Sequence, residues 1–185
     1  MHLYDILKDR FVHEVFVQDT YPQSKGVVFD VGALNGEYAL YTYNMADRII
    51  CIEPNPGPAI ELAAKVKEYN LKKIKVYQVA LSWCDGDAYL NRTDAEGGNV
   101  LTADPTGFEV KTLTLRTIIK LERIDHVDML KIDIEGHEHA IFSDPDFPFD
   151  KVDAICGEHI HNQPGPNFMQ DKIRPSLYTR IKWNH

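Results

Sequence analysis

One stretch constrains this chain most: Val27-Val28-Phe29-Asp30-Val31-Gly32-Ala33-Leu34-Asn35-Gly36-Glu37-Tyr38, followed by a second apolar run ending in Ile52-Glu53-Pro54-Asn55. The first apolar run reads as a buried strand, and the glycines after it read as a tight turn into a helix. Glu53, 21 residues beyond Gly32, closes the next strand. Strand, glycine turn, helix, strand and acid is the order in which a parallel sheet builds a nucleotide site at the carboxyl ends of its strands.

The residues within the turn discriminate between ligands. A dinucleotide site wants glycines spaced G-x-G-x-x-G so that bare backbone can approach a pyrophosphate, but here the second and third places hold Leu34 and Glu37. A carboxylate at Glu37 would repel a phosphate drawn to the same helix start. S-adenosylmethionine instead carries a sulfonium, an ammonium, one carboxylate and a ribose with both hydroxyls. Asp30 and Glu37 suit its cationic end, the N–H groups of residues 32 to 36 suit its carboxylate, and Glu53 can accept from both ribose hydroxyls. Two plainer readings stand beside this one: Gly32 and Gly36 serve only the turn, and Glu53 is a solvated loop acid.

Along the chain, residues 3 to 18 carry apolar positions at helical spacing, and an N-terminal helix is expected within about residues 1–20. Strands are expected at 27–31, 48–53, 74–81, 108–115, 127–134 and 152–157, with a last one at 177–183. Helices are expected at 38–45, from Pro56 to about Tyr69, at 118–123 and at 136–142. Cys84-Asp85-Gly86-Asp87 signals a hairpin between the strand before it and Ala88-Tyr89-Leu90, and 91–107 reads as a long loop covering the acceptor. Strands alternating with helices predict an α/β fold: one domain over 1–185 with a doubly wound, mostly parallel Rossmann-like sheet in three α/β/α layers. Little chain follows residue 161, so the sheet is expected to be shortened at its C-terminal side.

A second constellation lies at Lys131-Ile132-Asp133-Ile134-Glu135-Gly136-His137-Glu138. If the strand continues, Asp133 and Glu135 share one side of its carboxyl end, where the ligand crevice of such a sheet lies. The next strand ends in Gly157-Glu158-His159-Ile160-His161, bringing Glu158 and His159 to the same rim. Transfer to an alcohol oxygen requires loss of the hydroxyl proton, and His159 is the first candidate base. Asp133, Glu135 and Glu158 form an alternative set of hard oxygen ligands for Mg²⁺. The same histidines also read as ordinary surface or core residues, and no H-E-x-x-H spacing points to zinc.

A formal charge of −8 argues against a general nucleic-acid binder, and Lys65, Lys67, Lys72, Lys73 and Lys75 read as a solvated face. No apolar run approaches the roughly 20 residues needed to span a bilayer. Cys51, Cys84 and Cys156 have no C-x-x-C spacing and read as buried reduced thiols. The first residues show no basic segment leading into an apolar one, so a cytoplasmic protein is expected.

Taken together, Phe29-Asp30-Val31-Gly32-Ala33 through Gly36-Glu37-Tyr38, Ile52-Glu53-Pro54-Asn55-Pro56, and Leu130 through Glu138 resemble the FkbM-type family of S-adenosylmethionine-dependent methyltransferases, of the class I Rossmann-like fold. The resemblance covers about residues 26 to 160 and includes Val79-Ala80-Leu81-Ser82 before Asp85-Gly86, which is similar to the family's hairpin near the adenine. It implies cofactor contacts at Asp30, Gly32, Gly36, Glu53, Ala80 and Leu81, with Asp133 beside the transferred methyl. It also implies O-methylation of a hydroxyl on a sugar or small natural-product-like acceptor. Three departures stand out. Leu34 occupies a place where the family usually has Asn, for which Asn35 is the candidate substitute. Arg116 follows Leu115 where the family usually has Asp. The C-terminal part is short, which motivates a rival reading as a non-catalytic cofactor-binding or partner module.

Overall fold

The computed structural model describes residues 3–11, 21–92 and 99–157. In chain order the strands are β1 (Gly26–Val31), β2 (Ala46–Ile52), β3 (Ile74–Tyr77), β4 (Ala80–Leu81), β5 (Gly86–Arg92), β6 (Asn99–Thr102), β7 (Phe108–Leu113), β8 (Met129–Ile132) and β9 (Ile155–Gly157). The α-helices are α1 (Leu3–Phe11), α2 (Glu37–Thr42), α3 (Pro56–Glu68), α4 (Leu115–Glu122) and α5 (Glu138–Ser143).

Strands β3-β2-β1-β8-β9 form one sheet in that order, and every pair in it is parallel. The chain winds outward from β1 through β2 to β3, then returns to the other side of β1 with β8 and β9. The order therefore reverses between β1 and β8, where α/β sheets bind ligands beyond the carboxyl ends of their strands. Alternation along the strands divides the core in two. Phe29, Val31, Ile50, Ile52, Leu130 and Ile132 pack with Leu115, Ile118 and Ile119 of α4 and Ile141 and Phe142 of α5. Val28, Ile49, Cys51 and Met129 pack on the opposite face with α1 (Tyr4, Leu7, Phe11), α2 (Tyr38 to Leu40) and Leu62 of α3. The result is the expected three-layer α/β/α arrangement, with its interior strands buried on both sides.

Helix starts follow local chemistry. Asn55 caps α3 by accepting from Gly57 N at 3.2 Å, with proline in the first turn, and Thr114 caps α4 by accepting from Thr117 N at 3.1 Å.

Several expectations need correction. The strand read over 74–81 breaks after Tyr77, and β4 joins a second sheet ordered β4-β7-β5-β6. The expected hairpin across Cys84 to Asp87 does not form, because β7 lies between its two arms, parallel to β4 and antiparallel to β5. Part of the 91–107 loop is strand: β6 pairs antiparallel with β5. The 127–134 strand stops at Ile132. Cys51 and Cys156 are buried, whereas Cys84 is exposed in a turn. The expected strand at 177–183 lies outside the described residues.

The lysines read as a solvated face are partly committed to structure. Lys73 Nζ donates to the carbonyls of Tyr43 and Ala46 at 3.1 and 2.7 Å, and Lys75 pairs with the buried Glu122. Arg48 and the Tyr77 hydroxyl meet the same Glu122 carboxylate, so one acid ties β2 and β3 to the end of α4. No helix among the described residues is long and apolar enough to cross a membrane.

Glu122→Ala removes the shared acceptor. Arg48 and Lys75 keep contact with water, which softens the loss, so the variant should lose about 2–3 kcal/mol. Urea unfolding midpoints test this; a change under about 0.5 kcal/mol would show that the cluster is only surface chemistry.

Candidate functional site

The glycine turn joins the ends of β1, β2 and β8. Gly32 and Ala33 N–H both donate to the Ile52 carbonyl, at 2.9 and 3.2 Å, and Asp133 N donates to Val31 O at 3.0 Å. Gly32 has φ +71°, and a Cβ there would fall 1.8 Å from the Asp133 carbonyl; at Gly36, with φ +82°, it would fall 2.4 Å from a Leu62 methyl. Both glycines are thus demanded by close approach of the turn to β8 and α3. The turn's donors are also largely spent. Of the N–H groups expected to serve a ligand carboxylate, those of Gly32, Ala33, Leu34 and Gly36 already donate within the protein. That part of the expectation is corrected: a hydrogen-bonded turn replaces an open nest.

Glu53 holds the turn in place. Its Oε2 accepts from Leu34 N and its Oε1 from Asn55 N, each at 2.8 Å, and the residue is 6% exposed. Burial raises its pKa, and the two N–H bonds partly offset the rise. A carboxylate offers about four acceptor sites, so two N–H bonds leave capacity for two more donors. Glu53 is therefore not the solvated loop acid of the plainer reading.

Asp30 lies beneath the turn, fully buried. Its Oδ2 accepts from Ala39 N at 3.2 Å, and its Oδ1 lies 3.4 Å from Lys131 Nζ. Burial pushes its pKa up, against the pull of Lys131. Lys131 also donates to Gly32 O at 2.9 Å and lies 3.9 Å from Asp133 Oδ2. Burial alone would lower the lysine's pKa, but Asp30 and Asp133 more than compensate, leaving it above the ordinary value. The Tyr21 hydroxyl donates to the same Oδ2 of Asp133 at 3.1 Å, and its ring lies 5.5 Å from the ammonium.

The remaining expected residues fall as follows. Asn35 is buried, and Glu37 opens α2, partly buried. Asp133 and Glu135 do not share the side of an extended strand, because Glu135 adopts φ 57° and Gly136 φ 96° in a turn. Glu138 Oε1 closes that turn by accepting from Ile134 N at 2.8 Å. The Leu81 side chain packs with Leu115 and Ile118, and that of Ala80 with Leu90 and Val110, so both offer a ligand mainly backbone. Glu158 and His159 lie outside the described residues. Among the described residues no three His, Cys, Asp or Glu side chains gather as metal ligands.

Sequence reasoning passed over Lys131 and Tyr21. A signal for the first was present: a lysine between Leu130 and Ile132, in a strand buried on both faces, has to be paired. Tyr21 reaches Asp133 across 112 positions of chain, which no local pattern marks. Two aromatic rings also meet at the rim. Trp83, 49% exposed, lies 5.1 Å from the His137 ring, beside a cavity of about 220 Å³ lined in part by Thr114, Arg116, Asp144 and Phe147. Arg116, at the place where an acid was expected, pairs with Asp146.

Two outcomes follow from this geometry. Leu34 is held at φ 46° and is half exposed, a conformation that costs a branched residue about 1 kcal/mol and that Asn tolerates better. Leu34→Asn should raise stability by about 0.5–1 kcal/mol in urea unfolding; an equal or lower midpoint would show that the leucine side chain compensates the strain. His137 Nε2 is buried without a hydrogen-bond partner among the described residues, and burial holds its pKa below 6.5. Its neutral form stabilises the fold fully above pH 6.5, and that contribution is lost as pH falls through the lowered folded value. His137→Gln should therefore show a shallower loss of stability than the parent between pH 7.5 and 5.5, and parallel curves would refute a buried neutral imidazole.

A solved FkbM methyltransferase from Methylobacillus flagellatus KT aligns at 20% identity and a TM-score of 0.43, over 64% of this chain and 28% of its own. Precorrin-6y C5,15-methyltransferase from Geobacter metallireducens GS-15 aligns at 13% identity and a TM-score of 0.43, over 79% of this chain and 63% of its own. The chain thus spans less than two thirds of the length of either. No curated protein matches it. The Methyltransferase FkbM domain matches residues 30–180, most of the chain, and the protein belongs to that family.

Proposed function

We propose that this methyltransferase uses S-adenosylmethionine to methylate a hydroxyl group on a sugar or small natural-product-like acceptor, in the cytoplasm. The observation that carries the reading is Glu53: a buried carboxylate at the end of β2, fixed by two backbone N–H groups, with acceptor capacity left over. That is the donor-poor, acceptor-rich chemistry that a ribose diol requires. The acids around it suit a cationic ligand better than a pyrophosphate.

When bound, S-adenosylmethionine supplies a methyl group already activated on sulfur. Glu53 would hold the ribose hydroxyls, and the fixed turn from Gly32 to Gly36 would set the distance between ligand and sheet. Asp133, 28% exposed at the end of β8, would face the reacting end. Transfer of that methyl to an acceptor oxygen would require the hydroxyl proton to leave, and His159 is the candidate base that would take it. Most of the acceleration would come from alignment of two bound partners. A half-exposed Trp83 beside Arg116, Asp144 and Asp146 would suit the apolar face and hydroxyls of a sugar.

Calorimetric titration with S-adenosylhomocysteine, beside NADH, tests the cofactor. Binding of the first alone is expected, and binding of NADH alone would overturn the reading. Glu53→Ala should weaken S-adenosylhomocysteine by about 1.5–3 kcal/mol, a tenfold to 150-fold loss. Unchanged affinity would take Glu53 out of the site.

A further inference from the structure

Lys131 is a buried cation that the proposed chemistry leaves without a role. A counterion for Asp30 alone would need no second acid, yet the ammonium lies between Asp30 Oδ1 at 3.4 Å and Asp133 Oδ2 at 3.9 Å. Its side chain is 6% exposed, and its donation to Gly32 O at 2.9 Å fixes it against the turn. The charge cannot swing away into water. The Tyr21 hydroxyl, at 3.1 Å, loads the same oxygen of Asp133.

We propose that Lys131, assisted by Tyr21, is a positioning residue that tempers the charge of Asp133 so that the site does not hold a cationic methyl donor far more tightly than its neutral product. The inference rests on the reading that Asp133 faces the reacting end of S-adenosylmethionine. Methyl transfer turns a sulfonium into a thioether, so positive charge leaves the site as the reaction proceeds. An unshielded carboxylate at that point would stabilise the reactant more than the transition state, which raises the barrier. A fixed cation on the far side of the carboxylate reduces that penalty while leaving the acid in place.

The test compares two ligands of nearly equal shape: S-adenosylhomocysteine, a neutral thioether, and sinefungin, which carries a protonated amine near the position of the methylsulfonium. Affinities for both are measured by calorimetry in the parent, in the Asp30→Asn/Lys131→Met double variant and in Tyr21→Phe. The double variant removes a buried cation together with its buried acid, so neither charge is left unpaired in the core. The preference for sinefungin over S-adenosylhomocysteine should rise at least fivefold in the double variant and about twofold in Tyr21→Phe, as expected when a carboxylate loses a nearby cation or a hydrogen-bond donor. General damage to the fold would weaken both ligands alike and leave their ratio unchanged. If the parent binds both ligands and the ratio stays level or falls, the role of Lys131 is overturned while the cofactor reading survives. If the parent binds neither, the cofactor reading fails and takes this inference with it. Should the double variant not fold, Tyr21→Phe decides alone, a raised ratio supporting the inference and a level or lower one overturning it.

Discussion

An ammonium group on an interior strand, in a sheet covered by helices on both faces, must find its partners inside the protein. Lys131 finds four: the Asp30 carboxylate, the Gly32 and Val31 carbonyls and, more distantly, Asp133. Removing either charge of the Lys131–Asp30 pair alone would strand the other at a cost of several kcal/mol, so the two persist together. Their pairing also determines where β1 and β8 can sit, because the lysine bridges the last residues of both. The parallel register of Asp30 against Lys131 places the two side chains on the same face of the sheet.

From that pair the geometry spreads outward. Gly32, pinned by its own N–H and by its carbonyl, turns the chain toward α2 without room for a side chain. Glu53 then catches Leu34 from the neighbouring strand, so the turn is anchored on both flanks. A rigid frame of this kind suits a reaction that depends on alignment, since an error of about 1 Å can cost two orders of magnitude in rate.

Much of this was legible in the sequence. The parallel sheet followed from apolar runs alternating with helical ones, and Glu53 stood out by its distance from the glycines. What escaped had physical reasons. The donors of the turn looked available because composition does not reveal that Ile52 and Glu53 consume them. The strand over 74–81 looked continuous because alternation persists through Val79, although the pairing partner changes from β2 to β7. Asp133 and Glu135 looked like strand neighbours because nothing local signals a left-handed glutamate just before a glycine. Arg116, which looked like the loss of a site acid, pairs with Asp146 at the cavity rim.

The break after Tyr77 divides responsibility within the protein. Only Gln78 and Val79 separate a strand of the main sheet from one of the second sheet, so two bodies with separate hydrogen-bond ladders meet at the same rim. Insertions in the β5–β6 hairpin would lengthen one ladder without shifting the register of the other. The second sheet can therefore vary in length while the register of the main one stays unchanged, a modularity built from a two-residue junction.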